Sequence, residues 1–275
     1  MTIAENTSKV WFITGASSGI GRELVRQALD AGESVAAVAR DSVTLRDLGS
    51  HDRLLTISAD VADEGAVRAA VDRAVAAFGR VDVVANNAGY GVFGAVEEVD
   101  DAQARAIFDT NVFGVLNVLR AVLPVLRRQG SGHILQGSSI FGQTAVPGLG
   151  LLAATKYAVE GLSDALAAEV APLGVKVTLV QPGPTDTAFG GNLDQAATTH
   201  ADYDRTVRAP LPDGPAASAA GRVAAGIRIA VADIDPPRRL ALGVVSGSAM
   251  RAALDARLAD LDTWSSVTEG VDARQ

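Results

Sequence analysis

Six short apolar runs alternate with helix-length amphipathic segments along the first two thirds of the chain. The runs are continuously apolar rather than alternating, which is typical of strands covered on both faces of a sheet. Strands are predicted at Val10–Thr14, Ser34–Ala39, Arg53–Asp60, Val81–Gly89, Gly132–Ser139 and Val175–Gly183, with an edge strand at Arg238–Gly243. Helices are predicted at Ile20–Ala31, Glu64–Phe78, Asp101–Arg128 and Leu151–Ala171. Parallel strands need crossover helices, so the alternation predicts an α/β fold with a doubly wound parallel sheet of seven strands.

The pattern loosens after Gly183, where Gly, Ala, Thr, Asp and Pro dominate. Segments that follow strand carboxyl ends in an open α/β sheet face the ligand crevice. Residues 188–215 are therefore predicted to form a substrate lid, with a long surface excursion as the alternative. The polar tail at 265–275 is expected to fray. Residues 1–275 are predicted to form a single domain with this lid.

Charge and composition exclude several classes of protein. Lys and Arg number 24 against 32 Asp and Glu, a net charge of −8, and no basic run is present. We therefore expect no nucleic-acid and no membrane partner. The N-terminus has no apolar signal region, and the apolar runs are too short to span a bilayer, so a cytoplasmic protein is predicted. There is no cysteine, and the histidines, predicted to be surface or strand-edge residues, suggest no metal site.

A glycine-rich stretch, TGASSGIG, follows the first predicted strand and opens a helix. Glycines at such a place let the backbone turn tightly and approach a pyrophosphate, which the helix N-terminus attracts. The spacing is G-x-x-x-G-x-G rather than the commoner G-x-G-x-x-G. An ordinary tight turn is the alternative, but the strand–loop–helix context favours a dinucleotide. The predicted binding residues of this loop are Gly15, Ser17, Ser18, Gly19, Ile20 and Gly21.

The end of the second predicted strand bears on the choice of cofactor. Folds that prefer NAD often place an acid there, on the ribose hydroxyls. This chain has Arg40, and an arginine can hold a 2′-phosphate by charge-assisted hydrogen bonds. The adjacent Asp41 is predicted to cap the next helix. The sequence therefore favours NADP(H) over NAD(H), with a solvated surface charge as the alternative role for Arg40.

Several motifs occur in one order along the chain: TGASSGIG, DV at 60–61, NNAG at 86–89, TNVFG around Asn111, SSIFG at 138–142, Lys156 and PGPTDT at 182–187. Together they resemble the short-chain dehydrogenase/reductase family, up to about Gly190. The resemblance implies a Rossmann-like fold and an oxidoreductase that uses a nicotinamide cofactor. The stretch from Ala154 to Gly183 looks most like the reductases of hydrophobic carbonyls in that family, such as the steroid- and retinol-dehydrogenase-like branch.

The resemblance also implies roles for individual residues. Lys156 would bind the nicotinamide ribose, Ser139 would hydrogen-bond the substrate oxygen, and Asn111 would hold a water in a proton relay. The residues implied to line the adenosine side are Asp60, Val61, Asn87, Ala88 and Gly89. Those implied to flank the nicotinamide are Pro182, Gly183, Thr185 and Thr187.

One catalytic residue of the family is missing from its place. The family's tyrosine stands four residues before the lysine and usually thirteen after the serine, and both counts fall on Leu152. Tyr157 lies about 140° further round a helix and is expected to pack elsewhere. Tyr90 is expected to be a cleft-wall or surface aromatic. Tyr203 and His200 lie in the predicted lid and could swing in, although a lone loop histidine is usually only exposed.

Four interpretations follow from the leucine. The chain is an NADP(H)-dependent oxidoreductase of a hydrophobic carbonyl or alcohol with impaired or altered proton donation, or a non-redox cyclase- or isomerase-like member. It is otherwise a catalytically silent NADP(H)-binding protein, or an engineered tyrosine-to-leucine variant. The first is favoured. The resemblance implies a homodimer or homotetramer through the two long predicted helices, and a small hydrophobic substrate is expected in a pocket of Val92, Phe93, Phe141, Val146, Leu149, Leu152 and Phe189.

Overall fold

The central element is a seven-stranded sheet in which every neighbouring pair of strands is parallel. The computed structural model describes residues 8–209 and 216–272. The strands are β1 Val10–Thr14, β2 Ser34–Ala39, β3 Leu54–Ser58, β4 Val83–Asn86, β5 Gly132–Gly137, β6 Val175–Pro182 and β7 Arg239–Leu242. Their order is β3-β2-β1-β4-β5-β6-β7. The order reverses between β1 and β4, which is the switch point where such sheets bind ligands.

Helices cover both faces of the sheet. They are α1 Gly19–Asp30, α2 Glu64–Phe78, α3 Asp101–Phe108, α4 Gly114–Gln129, α5 Gly150–Val170, α6 Ala220–Ala232, α7 Val244–Thr263 and α8 Ser265–Gly270. Helix α2 has the predicted bounds because Asp63 caps its first turn and Gly79 ends it in a left-handed conformation. The seven-stranded parallel Rossmann-like architecture predicted from the sequence is confirmed.

The structure differs from the sequence prediction in three helical regions. The predicted helix Asp101–Arg128 is interrupted by a π-helical turn at Asp109–Phe113. Helices α6 and α7 were not predicted at all. The expected frayed tail contains α8, whose residues are exposed, while residues 273–275 lie outside the described part of the chain. The tail residues therefore adopt a local helical hydrogen-bond pattern that their polar composition did not indicate.

Alternate residues of the strands enter two separate cores. Phe12 packs with α2, α4 and α5 on one face, whereas Trp11 and Ile13 pack with α1 and α6 on the other. His133, expected at the surface or at a strand edge, is instead buried in the central strand β5 beside Thr178. Burial lowers the pKa of His133 to about 4, so the ring stays neutral inside the sheet.

One helical run, Asp101–Gln129, is long and apolar enough to cross a membrane by length and composition alone. In the structure, 44% of its most apolar window is buried inside the protein. The run lies against α2 and the sheet, as the core helix of a globular protein does.

Candidate active site

The glycine loop joins the carboxyl end of β1 to the start of α1. Gly15 and Gly19 have positive φ values of 65° and 53°, which disfavour any residue with a side chain. A Cβ on Gly21 would clash with the Gly15 carbonyl oxygen, because the loop folds back on itself. The side chain of the N-cap residue Ser18 makes no capping hydrogen bond, and the first turn holds no acidic residue. The free N–H groups and the backbone cradle fit a pyrophosphate.

Thr14 joins this loop to the NNAG segment and was missed by sequence reasoning. Its hydroxyl accepts hydrogen bonds from the backbone N–H groups of Asn87 and Ala88, each at 3.1 Å. The Asn87 side-chain amide in turn donates to the Thr14 and Gly15 carbonyl oxygens, both at 3.2 Å. Thr14 directly precedes the glycine loop, which was the available signal. The two predicted binding segments therefore form one rigid floor at the switch point.

Arg40 and Asp60, which the sequence predicts to lie on the adenosine side of the site, are both exposed. The Asp41 carboxylate accepts a hydrogen bond from the Val43 backbone N–H at 2.8 Å, so it caps the following 3₁₀ helix as the sequence predicts. The Asp60 carboxylate bonds the Ala62 backbone N–H at 2.9 Å. No ion pair of Arg40 is found within the described residues. Its guanidinium is thus available to an added anion.

Helix α5 places Lys156 beside the end of β5. The Lys156 Nζ donates to the Gly137 carbonyl oxygen at 2.6 Å. Burial lowers the pKa of Lys156 to about 8. A Cβ on Gly89 would lie 3.6 Å from the Lys156 Nζ and 3.0 Å from the Asn111 Oδ1, so the three residues meet at one point.

The π-helical turn positions Asn111. Its Oδ1 accepts from the Tyr90 backbone N–H at 3.1 Å, and its Nδ2 donates to the Tyr90 carbonyl at 2.9 Å and to Thr155 Oγ1 at 3.1 Å. Turns of this kind recur at functional sites. Asn111 thereby joins the NNAG segment to α5, next to Lys156.

Leu152 is only 2% exposed, so it is not an open cleft wall. It forms a buried cluster with Val92 and Ile107. A Cβ placed on Gly91 would lie 2.6 Å from Leu193 and 3.4 Å from both Leu152 and Phe189. Those three side chains therefore converge beside Gly91, which places Leu193 and Phe189 close to Leu152.

The other residues predicted to line the pocket differ in how far they are exposed. Phe141 and Leu149 pack against the Leu152 cluster, as does the half-buried Tyr90. Val146 and Phe189 are more exposed, at 41% and 42%. Burial, followed by the charge of Asp194, raises the pKa of Tyr90, so its hydroxyl keeps its proton at neutral pH.

Neither Tyr157 nor Tyr203 points its hydroxyl into this cluster. The Tyr157 hydroxyl bonds Arg257 of α7, and the ring stacks under that guanidinium at 5.5 Å. The Tyr203 hydroxyl donates to Glu97 at 2.6 Å. His200 is exposed and uses its backbone N–H in the contacts described below. The two tyrosine hydroxyls are therefore engaged elsewhere, and the His200 side chain lies at the surface.

The segment predicted to flank the nicotinamide follows β6. Pro182 ends the strand, and the Thr185 hydroxyl donates to the Gly183 carbonyl at 2.9 Å. Thr187 reaches back to the glycine loop: a Cβ on Gly19 would lie 3.1 Å from its methyl group. The loop after β6 therefore closes over the start of α1.

The predicted lid 188–215 is docked on the protein over much of its described length, and residues 210–215 lie outside the described part. Asp194–Gln195 pairs in parallel with Val92–Phe93. The Glu98 side chain is fully buried and accepts from Arg208 at 3.0 and 2.9 Å and from the backbone N–H groups of Ala95 and His200. We call residues 194–208 the docked wall. Its anchors Glu98 and Arg208 were missed, because no local motif marks them.

Glu98 gives the docked wall a specific pH dependence. The Arg208 and His200 hydrogen bonds hold the pKa of Glu98 at about 2. This stabilisation is complete above the ordinary pKa of a glutamate and is lost as pH falls toward 2. We expect Glu98→Gln to lower the melting temperature at neutral pH by roughly 5 °C, because it removes the charge that strengthens the hydrogen bonds from Arg208 and from two backbone N–H groups.

Thermal denaturation across pH checks this prediction. The difference in melting temperature between the wild type and Glu98→Gln should become smaller as the pH falls from about 4.5 to about 2. Asp204→Asn is the matched control, since Asp204 is the 59% exposed partner of the same arginine. An equal loss in both variants would show that the buried hydrogen bonds to Glu98 are not what anchors the wall.

No cluster of three or more potential metal ligands occurs within residues 8–209 and 216–272. Instead, the fold and the site define a class: a doubly wound α/β protein with an uncapped helix N-terminus at the switch point and a partly buried lysine at the end of β5. Residues 9–198 match the family model described as short chain dehydrogenase. The chain belongs to this family of oxidoreductases.

Known relatives support the assignment along most of the chain. Oxidoreductase BOA17 of Botryotinia fuckeliana is 39% identical over 244 residues, which cover 86% of this chain and 89% of that protein. The 3-ketodihydrosphingosine reductase of Bacteroides thetaiotaomicron is 39% identical over 196 residues, 71% of each chain. The sequence similarity therefore covers most of the chain and is not confined to the glycine loop.

Solved structures show the same architecture. A short-chain dehydrogenase from Streptomyces avermitilis has a TM-score of 0.90 at 37% identity, covering 97% of this chain and 99% of its own. One from Burkholderia cenocepacia in complex with NADP has a TM-score of 0.75 at 27% identity, covering 93% and 97%. One from Burkholderia phymatum in complex with NAD has a TM-score of 0.78 at 26% identity, covering 95% and 96%. Both cofactors therefore occur among similar folds.

Proposed function

We propose that the protein is an NADP(H)-dependent oxidoreductase of a small hydrophobic carbonyl or alcohol, in which proton donation is altered because Leu152 replaces the tyrosine. Two observations carry the proposal: Lys156, Asn111 and Gly89 meet at one point, and the start of α1, at the same carboxyl edge of the sheet, is uncapped. A dinucleotide spanning the switch point would connect these two sites. A cytoplasmic location and a homodimer or homotetramer remain expectations of the same kind.

The residues present fit the proposed cofactor. The glycine loop and the N-terminus of α1 would hold the pyrophosphate, Asp60 and Val61 the adenine, and Lys156 the nicotinamide ribose. When bound, NADPH would supply a hydride to the carbonyl carbon. The protein's task is then to orient the carbonyl and to deliver a proton to its oxygen.

Leucine can neither donate nor stabilise that proton. General acid catalysis is worth about 10²–10⁴-fold, roughly 3–5 kcal/mol of barrier. Ser139, at the start of the 3₁₀ turn after β5, offers a hydroxyl, and Lys156 adds a positive field. Tyr90 packs against the Leu152 cluster and keeps its hydroxyl proton, which makes it a second candidate donor. Turnover of ordinary ketones should therefore be slow, and substrates with a stabilised product anion should react best.

A specific observation favours a second candidate, nucleotide binding without turnover. Leu152 is buried, and Leu193 and Phe189 converge over the same spot. A closed apolar cluster at this place suits a protein that senses the nucleotide or acts as a scaffold. The presence of Ser139 favours the oxidoreductase, because a protein that only binds the nucleotide has less need of a hydroxyl at this position.

Consumption of NADPH with a panel of hydrophobic ketones, quinones and enones tests the proposal. We expect measurable turnover with quinones and activated enones and little with plain ketones. Ser139→Ala should reduce the turnover, since it removes the donor to the substrate oxygen. Binding of NADPH without turnover of any panel member would support the silent binder instead.

Arg40 allows a test of the cofactor assignment. We expect Arg40→Ala to weaken NADPH binding about tenfold and NADH binding little, because one charge-assisted contact to a phosphate is worth roughly 1.5–3 kcal/mol. Fluorescence titration with both nucleotides measures the two affinities. Arg46→Ala, a matched removal of a nearby exposed charge, should change neither affinity. Equal weakening of NADPH and NADH by Arg40→Ala would count against a 2′-phosphate contact.

A further inference from the structure

Glu160 is a buried carboxylate at the point where four structural elements meet. It lies one helical turn beyond Lys156 on α5, and its side chain is 6% exposed. Its oxygens accept hydrogen bonds from Ser138 Oγ at 2.5 Å, Gln181 Nε2 at 2.8 Å, Gln143 Nε2 at 3.0 Å and Arg239 Nε at 2.9 Å. These partners come from the end of β5, from β6, from the turn after β5 and from the edge strand β7.

Successive turns of α5 hold successive residues at the end of β5. Lys156 holds the Gly137 carbonyl oxygen, and Glu160 holds the Ser138 hydroxyl. The next residue in the chain is Ser139. Helix α5 therefore holds the two residues immediately before the proposed donor, Gly137 by its carbonyl oxygen and Ser138 by its hydroxyl.

The turn that follows Ser139 closes around the same carboxylate. The Gly142 N–H donates to the Ser139 carbonyl at 2.9 Å, and the Gln143 N–H donates to the Ile140 carbonyl at 3.1 Å. A Cβ on Gly142 would clash with the Ser138 hydroxyl oxygen and lie 2.8 Å from the Glu160 Oε1. A glycine is needed here because the turn passes directly over the carboxylate. We call residues 138–143 the serine turn.

Arg239 makes the burial of this charge tolerable. A buried carboxylate is costly unless an opposite charge and hydrogen bonds satisfy it. The Arg239 guanidinium reaches Glu160 from β7 and also holds Asp164, at 2.6 Å, one turn further along α5. Stability alone would be served as well by an apolar residue, so the retained charge suggests a positional role.

We propose that Glu160 is a positioning residue for Ser139, acting through Ser138 and the serine turn. Without a tyrosine, Ser139 is the hydroxyl that the proposed reaction depends on most, so its placement limits the rate. The catalytic consequence rests on the proposed function, whereas the ordering of the serine turn does not. The two parts are therefore tested separately.

Amide hydrogen exchange on the full chain tests the ordering. Glu160→Ala should speed exchange at Gly142, Gln143 and Thr144 by about tenfold or more, since each of these N–H groups is hydrogen-bonded within the turn. Exchange in β5 itself should not change. Asp164→Asn, which removes the exposed partner of Arg239, is the matched control and should leave the turn unaffected. Unchanged exchange in Glu160→Ala would overturn the proposal.

Kinetics test the catalytic part, with NADPH and phenanthrenequinone as the probe. Glu160→Ala should lower kcat by about 10–100-fold with little change in KM or in NADPH affinity, because small misplacements of a reacting group have effects of this size. In the Ser139→Ala background the same change should have no further effect. Glu160→Gln, which keeps an acceptor for Ser138, should recover part of the loss.

The two failures can be told apart. If the wild type turns over nothing, the proposed function fails, and hydrogen exchange still decides whether Glu160 orders the serine turn. If the wild type is active and the effects of Glu160→Ala and Ser139→Ala on kcat simply multiply, Glu160 does not act through Ser139 and the positioning role is rejected.

Discussion

Leu152→Tyr is expected to raise the rate of ketone reduction by about 10²–10⁴-fold, the usual contribution of a positioned general acid. The new hydroxyl would stand one helical turn before Lys156, whose Nζ lies at the end of β5. A neighbouring ammonium group lowers the pKa of a phenol and makes it a better acid at neutral pH. Consumption of NADPH with a hydrophobic ketone, compared side by side with the wild type, measures the gain.

Leu152→Phe is the matched control for this variant. Both replacements add a ring where Leu193 and Phe189 already converge with Leu152, so we expect both to displace segment 189–193 to a similar extent. Only the tyrosine adds a proton donor. If Leu152→Tyr gains activity and Leu152→Phe does not, the scaffold is a reductase that lacks its acid.

The opposite result would be equally informative. If the two variants behave alike, and neither exceeds the activity of the wild type on any substrate, a proton donor at position 152 does not speed the reaction. The proton must then come from another group. The search then moves to Ser139 and Tyr90, since both hydroxyls lie in elements that contact the Leu152 cluster.

Much of the central sheet could be predicted because each strand is a short, continuously apolar run. The observed strands are shorter than predicted at β3, β4 and β5, where the last residues turn into the site instead of pairing. The break at Asp109–Phe113 could not be predicted from periodicity. Its cause is tertiary: the Asn111 amide bonds the backbone of Tyr90, which is 21 positions away.

The charged residues that sequence reasoning missed share one physical cause: each depends on a partner far away in the chain. Glu98 and Arg208 are 110 positions apart, and Glu160 and Arg239 are 79 apart. A single charged residue gives no local sign of the partner that will bury it. The sequence did contain one sign of Glu160. It follows Lys156 by one helical turn and so shares the helix face that carries the predicted site. The glycine loop could be found from sequence because its geometry depends on residues that are adjacent in the chain.

Gly21→Ala is expected to weaken NADPH binding by about tenfold to a hundredfold. A Cβ on Gly21 would clash with the Gly15 carbonyl oxygen and lie 2.5 Å from the Asn87 side-chain nitrogen. Overpacking of this kind costs about 1–3 kcal/mol, and relief of the clash must move the N–H groups that would face the pyrophosphate. Fluorescence titration with NADPH measures the loss, and thermal denaturation shows whether the variant remains folded.

Gly161→Ala separates this effect from the general consequence of replacing a helix glycine by alanine, since Gly161 is exposed on α5. Gly161 lies within α5, and a Cβ there would meet no atom of the described residues within 4 Å, so alanine should stabilise the helix slightly and leave NADPH affinity unchanged. A folded Gly21→Ala variant with wild-type affinity would mean that the nucleotide does not sit on this loop. In that case the proposed dinucleotide would not connect the glycine loop with the meeting point of Lys156, Asn111 and Gly89, and that meeting point would need another function.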